Sequence, residues 1–270
     1  MKIVCSPIRA NFKVLKEKKI MKRLLITGGP TNEFIDEVMK ITNMSTGSFS
    51  ISLANVFSER GYEVDLVLNR CISTDKINRQ VKVYPVETTD EMLREIEDRI
   101  SEKNYSVMIH TAAVGDYKAD FSFLMKDLAE ELFNKKEQLK SPEDIYEVLM
   151  NPESKIDNSS KISSYQKDLT VKLGLTPKII SNLRKWMPDT IILGCKLLEN
   201  VPKEELFQVA QNLCTKNNID YIMANDLADL RDGQSTRYLV GKDGVTGIRL
   251  ETSHDVFCLV DDILNDKLKK

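Results

Sequence analysis

The segment of residues 23–47, RLLITGGPTNEFIDEVMKITNMSTG, constrains the fold more than any other. Its apolar run, residues 24–26, stops at Thr27-Gly28-Gly29, a polar stretch follows, and apolar residues then recur at helical spacing from Phe49. This pattern predicts a buried first strand, a glycine turn, a long loop and a helix that begins among small polar residues. The open N–H groups of such a helix start favour a phosphate or a carboxylate.

The remainder of the chain alternates between strand and helix patterns. Helices are predicted over 89–100, with Thr89 as the cap, over 204–216, and from a cap at Ser253 to about 264. Further strands are predicted at residues 62–68, 81–86, 105–110, 169–173, 191–195 and 220–226, with a hairpin around Asp243-Gly244. Alternation at βαβ spacing predicts a Rossmann-like, doubly wound, mostly parallel sheet that carries a C-terminal hairpin.

Length and charge set the class of protein. The chain has 270 residues, 41% of them hydrophobic, and 39 Lys and Arg against 41 Asp and Glu. It can therefore bury one large core, and we expect a single domain over residues 21–270 with no basic surface for nucleic acid. No apolar run is long enough to span a membrane. Residues 1–20 are basic and lack the apolar middle of a secretory signal, so we expect a poorly ordered extension, or a natural start at Met21.

Cysteine and histidine usage indicates neither a disulfide framework nor a zinc site. The five cysteines are scattered without a CxxC pair, and the two histidines, His110 and His254, lie far apart. This usage fits a reducing compartment such as the cytoplasm.

Small and polar residues follow four of the predicted strands. Because ligands of open α/β sheets bind beyond the carboxyl ends of the strands, we expect a nucleotide-type crevice there. The strand ends are Thr27-Gly28-Gly29, His110-Thr111-Ala112-Ala113 with Asp116, Gly194-Cys195-Lys196 and Ala224-Asn225-Asp226.

The usual signatures of nucleotide binding and of nucleophilic catalysis are missing. Neither GxxxxGK[ST] nor GxGxxG occurs, and Gly28-Gly29 is equally compatible with an ordinary tight turn. No Ser-His-Asp order stands out, and His110 is interpreted as structural rather than as an acid or base. The polar insertion of about residues 118–168 is either a solvated excursion or a mobile lid, and its Lys161 is by itself most simply a solvated lysine.

Six segments together resemble phosphopantothenate–cysteine ligase, also called phosphopantothenoylcysteine synthetase. They occur in the order of that family and cover most of residues 21–241. The segments are ITGGPTNEFIDEVMKITNMSTG, HTAAVGDY, KISS, LTPKII, LGCKLL and YIMANDL. The flavin-dependent decarboxylase half to which many bacteria fuse this enzyme has no counterpart here, so the resemblance implies the stand-alone form, a cytoplasmic homodimer.

The resemblance implies a two-step ligation in coenzyme A biosynthesis. The carboxylate of 4′-phosphopantothenate attacks the α-phosphate of CTP, or of ATP, and pyrophosphate leaves. The amine of L-cysteine then displaces CMP to form an amide, and Mg²⁺ neutralises phosphate charge. Such chemistry needs positioning and charge stabilisation rather than an enzyme nucleophile.

Site residues are carried over from the family by motif. Asn43 is expected at the acyl intermediate, and Lys161 on a flap that closes over it, which makes the insertion a lid. Asp116 is expected near the ribose. The nucleotide-binding set implied by the resemblance is Ser45, Thr46, Gly47, Ala112, Ala113, Asp116, Lys161, Gly194, Lys196, Lys216, Asn225 and Asp226.

Three positions depart from the family pattern. Pro30 replaces a threonine, Ser50 a glycine, and Cys195 a phenylalanine beside the base. The change at Cys195 weakens any inference about the base, so the choice between CTP and ATP stays open, with CTP preferred. Two alternatives stay open: an NAD(P)-dependent Rossmann oxidoreductase, which lacks its glycine fingerprint here, and an inactive nucleotide-binding paralogue of the ligase.

Overall fold

A computed structural model describes residues 22–268 of the chain. The expectation for residues 1–20 therefore lies outside the described residues. The strands are β1 (Arg23–Gly28), β2 (Asn32–Phe34), β3 (Lys40–Thr42), β4 (Glu63–Asn69), β5 (Lys82–Val86), β6 (Val107–His110), β7 (Tyr117–Leu124), β8 (Lys155–Ile156), β9 (Leu169–Leu175), β10 (Ile191–Leu198), β11 (Tyr221–Asp226), β12 (Arg237–Gly241) and β13 (Gly244–Leu250). The helices are α1 (Ser48–Glu59), α2 (Thr89–Glu102), α3 (Met125–Asn134), α4 (Pro142–Met150), α5 (Ile180–Trp186), α6 (Lys203–Asn217), α7 (Leu227–Arg231) and α8 (Ser253–Leu268).

The central sheet has eight strands in the order β13-β12-β11-β10-β6-β1-β4-β5. Its six parallel strands are visited in the doubly wound order 3-2-1-4-5-6, and β12 and β13 add an antiparallel hairpin at one edge. The predicted fold class and the C-terminal hairpin are confirmed. Strand order reverses between β1 and β6, where such sheets open a crevice at their carboxyl edge.

Two apolar layers cover the two faces of this sheet. On one face α1 and α8 pack through fully buried Leu53 and Phe57 and through Val256. On the other face, α2, α5 and α6 form a second apolar cluster with the sheet, which includes Met92 and Leu183. Burial on both faces explains why the parallel strands read as continuous apolar runs.

Helix α1 begins directly after Gly47, as the sequence predicts. Gly47 has φ 67°, and Gly61, with φ 83°, ends the helix while the N–H of Tyr62 returns to the carbonyl of Phe57. Both positions need the left-handed backbone that glycine tolerates.

Residues 117–175, which we call the flap, leave the central sheet. Strands β7, β8 and β9 form a separate antiparallel sheet, and α3 and α4 stand beside it. The prediction that residues 169–173 continue the central sheet is wrong: these residues form a strand, but it pairs with β7. An apolar pattern predicts that a segment is a strand but does not show which strand it pairs with, so the partner of residues 169–173 could not be identified from the sequence.

Smaller corrections concern the loop and the caps. The predicted long loop after β1 contains the β2–β3 hairpin. The α2 cap is Thr88, whose side chain accepts from the N–H of Glu91, while Thr89 is buried. At α8 the hydroxyl of Thr252, not Ser253, accepts the N–H of Asp255.

Candidate functional site at the carboxyl edge

The crevice floor is formed by the two strand ends at the switch point, β1 and β6, with the loops that follow them, residues 27–33 and 110–116. The two loops are joined by backbone bonds, Ala113 N–H to Gly29 O at 2.9 Å and Thr31 N–H to Ala113 O at 3.3 Å. Pro30 lies between these partners, so its missing N–H costs no hydrogen bond here.

Buried side chains hold this floor. Thr31 Oγ1 accepts the N–H of Gly115 at 2.8 Å and lies 3.0 Å from Thr89 Oγ1. Glu33, only 3% exposed, accepts both the N–H and the hydroxyl of Thr89. A network of satisfied buried polar groups is rigid, because each broken bond would leave a desolvated partner.

Gly28 allows α1 to approach the sheet closely. A Cβ on this residue would lie 1.9 Å from Ser50 Oγ and 2.3 Å from Ser50 Cβ. Ser50 is itself buried and donates its hydroxyl to Gly47 O at 2.7 Å. The serine that departs from the family pattern therefore fits here only because residue 28 is a glycine.

Asn43 joins the β2–β3 hairpin to the crevice floor. Its Nδ2 donates to Val114 O at 2.9 Å and, more weakly, to Ala113 O at 3.4 Å. The side chain is exposed, and its Oδ1 is the remaining acceptor. The structure thus brings together Asn43, Ala112 and Ala113, as the sequence predicted for one site.

The α1 start lies beside them, with Ser45, Thr46 and Gly47 in the last three positions before the helix. The Ser45 and Thr46 hydroxyls bond only to neighbours within this turn, Gly47 N–H at 3.4 Å and Ser48 Oγ at 3.0 Å. Hydroxyls and unpaired N–H groups at a helix start can donate hydrogen bonds to a phosphate.

Asp116 is exposed at the end of the floor and forms an ion pair with Lys178. The floor also holds the two ends of the flap together. Gly115 and Asp116 precede the flap and Thr176 follows it, and Thr176 donates its hydroxyl to Gly115 O and its N–H to Asp116 O.

Lys161 lies in the flap tail and is exposed. Its neighbour Ile162 donates its N–H to Asp36 in the turn of the β2–β3 hairpin, at 2.8 Å. The pKa of Asp36 is lowered, first by the N–H of Met39, next by that of Ile162, with the charge of Lys161 contributing least. Lys161 is therefore near the hairpin that also carries Asn43.

The ends of β10 and β11 form the other wall. Gly194 is buried against Ile222 and Ile180, where a Cβ would lie 2.7 Å from Ile222 Cδ1. Lys196, half-buried, and Asn225, buried, reach the same carboxyl edge. Asp226 holds the wall together by accepting the N–H groups of Asn200, Val201 and Ala228, which lower its pKa.

Lys216 does not belong to this site. It lies in the last turn of α6, and α6 runs back from the carboxyl end of β10 to the amino end of β11. A helix of 15 residues is about 22 Å long. Lys216 therefore lies near the opposite edge of the sheet, too far away to contact a ligand in the crevice. The predicted helix over residues 204–216 already ended at Lys216, but the motif match could not show that this end lies at the far edge of the sheet.

His110 is buried at this edge and Cys195 is half-buried. His110 Nδ1 and Thr27 Oγ1 are 2.7 Å apart, and burial lowers the pKa of the imidazole to about 4. A neutral imidazole bonded to β1 fits the structural interpretation of His110. Burial raises the pKa of the Cys195 thiol to about 12, so it stays protonated.

Sequence reasoning missed several residues that build the site, among them Asp36, Thr31, Glu33 and Lys178. Asp36 precedes a turn and could have been identified as an Asx-turn residue. Thr31, Glu33 and Lys178 bond to partners that are 56 to 84 residues away in the chain, and no local sequence pattern predicts such bonds.

Residues 22–268 contain no group of three or more His, Cys, Asp or Glu side chains placed to bind a metal ion. None of the helices within these residues has the length and hydropathy needed to cross a membrane.

Comparison with known proteins places this geometry in a family. The family model of the DNA/pantothenate metabolism flavoprotein C-terminal domain matches residues 20–155. The coenzyme A biosynthesis bifunctional protein CoaBC of Thermococcus kodakarensis is 29% identical over 222 residues, which are 82% of this chain and 45% of that protein. The chain spans about half the length of the curated relatives it matches.

Solved structures agree with the fold. The DNA/pantothenate metabolism flavoprotein of Streptococcus pneumoniae superposes with a TM-score of 0.74 at 26% identity, over 91% of this chain and 99% of that chain. A Cab2 mutant in complex with phosphopantothenate-cysteine gives a TM-score of 0.63 at 16% identity, over 92% of this chain and 87% of that one. The second likeness concerns the fold alone.

Proposed function

Because the chain belongs to the family of the DNA/pantothenate metabolism flavoprotein C-terminal domain, we propose that it is a phosphopantothenate–cysteine ligase of coenzyme A biosynthesis. The observation that carries the proposal is the contact of Asn43 with the carbonyls of Ala113 and Val114. This contact joins the β2–β3 hairpin to the crevice floor, directly before the α1 start. A group that binds an acyl intermediate and a group that binds phosphate are thereby neighbours.

In the first step the carboxylate of 4′-phosphopantothenate attacks the α-phosphorus of the nucleotide. A carboxylate oxygen–phosphorus bond forms, and the bond to pyrophosphate breaks. The N–H groups at the α1 start, with the hydroxyls of Ser45 and Thr46, stabilise phosphate charge, while Gly47 lets the chain turn close to it.

In the second step the amine of L-cysteine attacks the acyl carbon. A carbon–nitrogen bond forms, the nucleoside monophosphate leaves with its phosphate oxygen, and the amine gives up a proton. Asn43 orients the intermediate through its Oδ1, which accepts a hydrogen bond from an N–H or O–H of the pantothenate portion, since its Nδ2 is bonded to the floor. Holding both reactants in one geometry is the main source of such catalysis.

Lys161 supplies positive charge from the flap. It is exposed and flanks the one point at which the flap tail docks on the hairpin. A lysine on such a segment neutralises charge that develops on the acyl-nucleotidylate and on pyrophosphate.

The nucleotide extends from the α1 start along Ala112, Ala113 and Asp116, with Gly194, Lys196, Asn225 and Asp226 bordering it. CTP is preferred over ATP, and Mg²⁺ enters bound to the nucleotide phosphates and adds charge neutralisation there. We place the protein in the cytoplasm as a homodimer, with central sheet and flap acting as one ligase domain over residues 21–270.

One assay tests the proposal. Purified protein is mixed with 4′-phosphopantothenate, L-cysteine, Mg²⁺ and, in parallel, CTP, ATP, GTP or UTP. We expect pyrophosphate and the nucleoside monophosphate in equal amounts with the amide product, fastest with CTP. Omitting cysteine should leave the acyl-nucleotidylate, detectable by mass spectrometry. Tight nucleotide binding without product in any mixture would instead identify an inactive paralogue and end the proposal.

A further inference from the structure

Asp36 makes an unusual set of hydrogen bonds for a turn residue. Its Oδ1 accepts the N–H groups of Val38 and Met39, at 2.7 and 2.6 Å, as in an ordinary Asx turn. Its Oδ2 accepts the N–H of Ile162 at 2.8 Å, across 126 residues of chain. The side chain is 3% exposed, so these bonds are shielded from water.

Ile162 is the point at which the irregular segment of residues 157–168 bonds to the β2–β3 hairpin. Residues 157–168 contain neither helix nor strand, and Ile162 is the one buried residue among them, at 6% exposure. A polar cleft of about 600 Å³, lined by Phe34, Asp36, Asp120 and Asn158 among others, separates hairpin and flap next to this contact. The bond from Ile162 to Asp36 therefore joins the flap tail to the hairpin beside this cleft.

We infer that Asp36 is a positioning residue, which docks the flap tail onto the β2–β3 hairpin and thereby sets where Lys161 stands. The inference rests on the proposed function, because it gives Asp36 a role only through Lys161, the next residue to the docked N–H. Asn43 directly follows β3, the second strand of the same hairpin, and is seven residues after Asp36 in the chain. Asp36 thus fixes the distance between the two residues proposed to act on the intermediate.

Two accepting oxygens are what this role requires. A carboxylate accepts from both segments at once, whereas an asparagine offers one oxygen and one NH₂ group. The Asx turn is local and keeps the oxygen of an asparagine, so the NH₂ group would face the N–H of Ile162 donor to donor. Asp36→Asn should therefore release the flap tail and leave the hairpin turn intact.

Asp157→Asn is the matched control. Asp157 lies in the flap tail, but its carboxylate bonds only to the N–H and hydroxyl of Ser159, at 2.8 and 2.9 Å. Both variants remove one negative charge and keep the side-chain shape. Only one of them breaks a contact between flap and hairpin.

The first measurement is hydrogen exchange at the Ile162 amide in the full chain, followed by NMR or by mass spectrometry of short overlapping peptides. We expect roughly 10- to 100-fold faster exchange in Asp36→Asn, the range for losing a hydrogen bond to a charged acceptor, and no change in Asp157→Asn. Equal exchange in all three proteins would overturn the docking contact. This readout needs no turnover, so it separates failure of the contact from failure of the proposed function.

The second measurement is ligase kinetics with CTP, ATP, phosphopantothenate and cysteine. We expect kcat to fall about tenfold in Asp36→Asn, with the KM values and the thermal midpoint unchanged, because Lys161 is present but misplaced. The double variant with Lys161→Gln should be no slower than Lys161→Gln alone. Additive losses, or an unchanged kcat despite fast exchange at Ile162, would overturn the positioning role.

Discussion

The crevice floor and the flap are built in opposite ways. The floor is crossed by buried side-chain bonds, among them Thr27 to His110 and Thr31 to Thr89, and lies between two large apolar clusters. The flap has a buried cluster of three residues, Phe121, Phe123 and Leu128, and exposes Phe133, Tyr146 and Leu175 by more than 60% each. The floor is held by many buried contacts, whereas the flap, which we propose to close over the substrates, has only a small apolar cluster of its own.

The contrast is sharpest in the loss of stability when an aromatic ring is removed from each region. Phe57→Ala should cost about 3–5 kcal/mol, because the fully buried ring contacts Tyr62 and Phe257 edge to face. Phe123→Ala should cost less than about 1 kcal/mol of global stability, since the flap can open while the sheet stays folded. Urea unfolding followed by fluorescence of Trp186, the single tryptophan, reports the sheet alone. Equal costs would contradict the separation of the two regions.

The buried imidazole of the floor should also make the free energy of unfolding depend on pH. The pKa of His110 is about 4 in the fold and about 6.5 when unfolded, so the unfolded chain binds more protons between these values. Stability should therefore rise by about 3 kcal/mol from pH 4 to 6.5 and be level above. His110→Asn should remove most of that slope, and His254→Asn, a change of the other, exposed histidine, should keep it. Unfolding free energies at five pH values decide this.

Lys161→Gln tests the flap by activity rather than stability. We expect a loss of about a hundredfold in turnover, the usual cost of removing one group that stabilises transition-state charge, and an unchanged thermal midpoint. Lys167→Gln, in the same exposed tail, should turn over normally. A ligase that is indifferent to the charge at residue 161 would remove the lysine from the site.

Gly28→Ala tests how tightly the floor is packed. Its new methyl group would lie within 2.3 Å of Ser50, so α1 must shift, at a cost of about 1–3 kcal/mol. Adding Ser50→Gly should restore most of the loss, because the colliding atoms belong to that side chain. No rescue would mean that the backbone, not Ser50, sets the distance.

The central sheet could be predicted from the sequence because each parallel strand is buried on both faces and is therefore an apolar run in the sequence. The strand ends could be found for the same reason: Gly, Ala, Asn and Asp stand where each run stops. The hairpin β2–β3 could not, since three-residue strands carry no period. The partner of β9 could not either, because pairing is decided by contacts 50 residues apart.

The site divides in the same way. Ala113 could be placed at the site because it follows a strand that ends at the switch point, whereas Asn43 was found only through its match to the family motif. Lys216 was placed wrongly because the motif match did not show that the end of its helix lies at the far edge of the sheet. Asp36 escaped notice because its partner is the backbone of Ile162, and a backbone N–H leaves no mark in a sequence.

Both stems of the flap close on Gly115, which Thr31 holds by its N–H and Thr176 by its carbonyl. An excursion that departs from and returns to a single peptide can lengthen, shorten or exchange its helices without transmitting strain to the sheet. Everything between the two stems could thus be remodelled in related chains while the crevice floor stays unaltered.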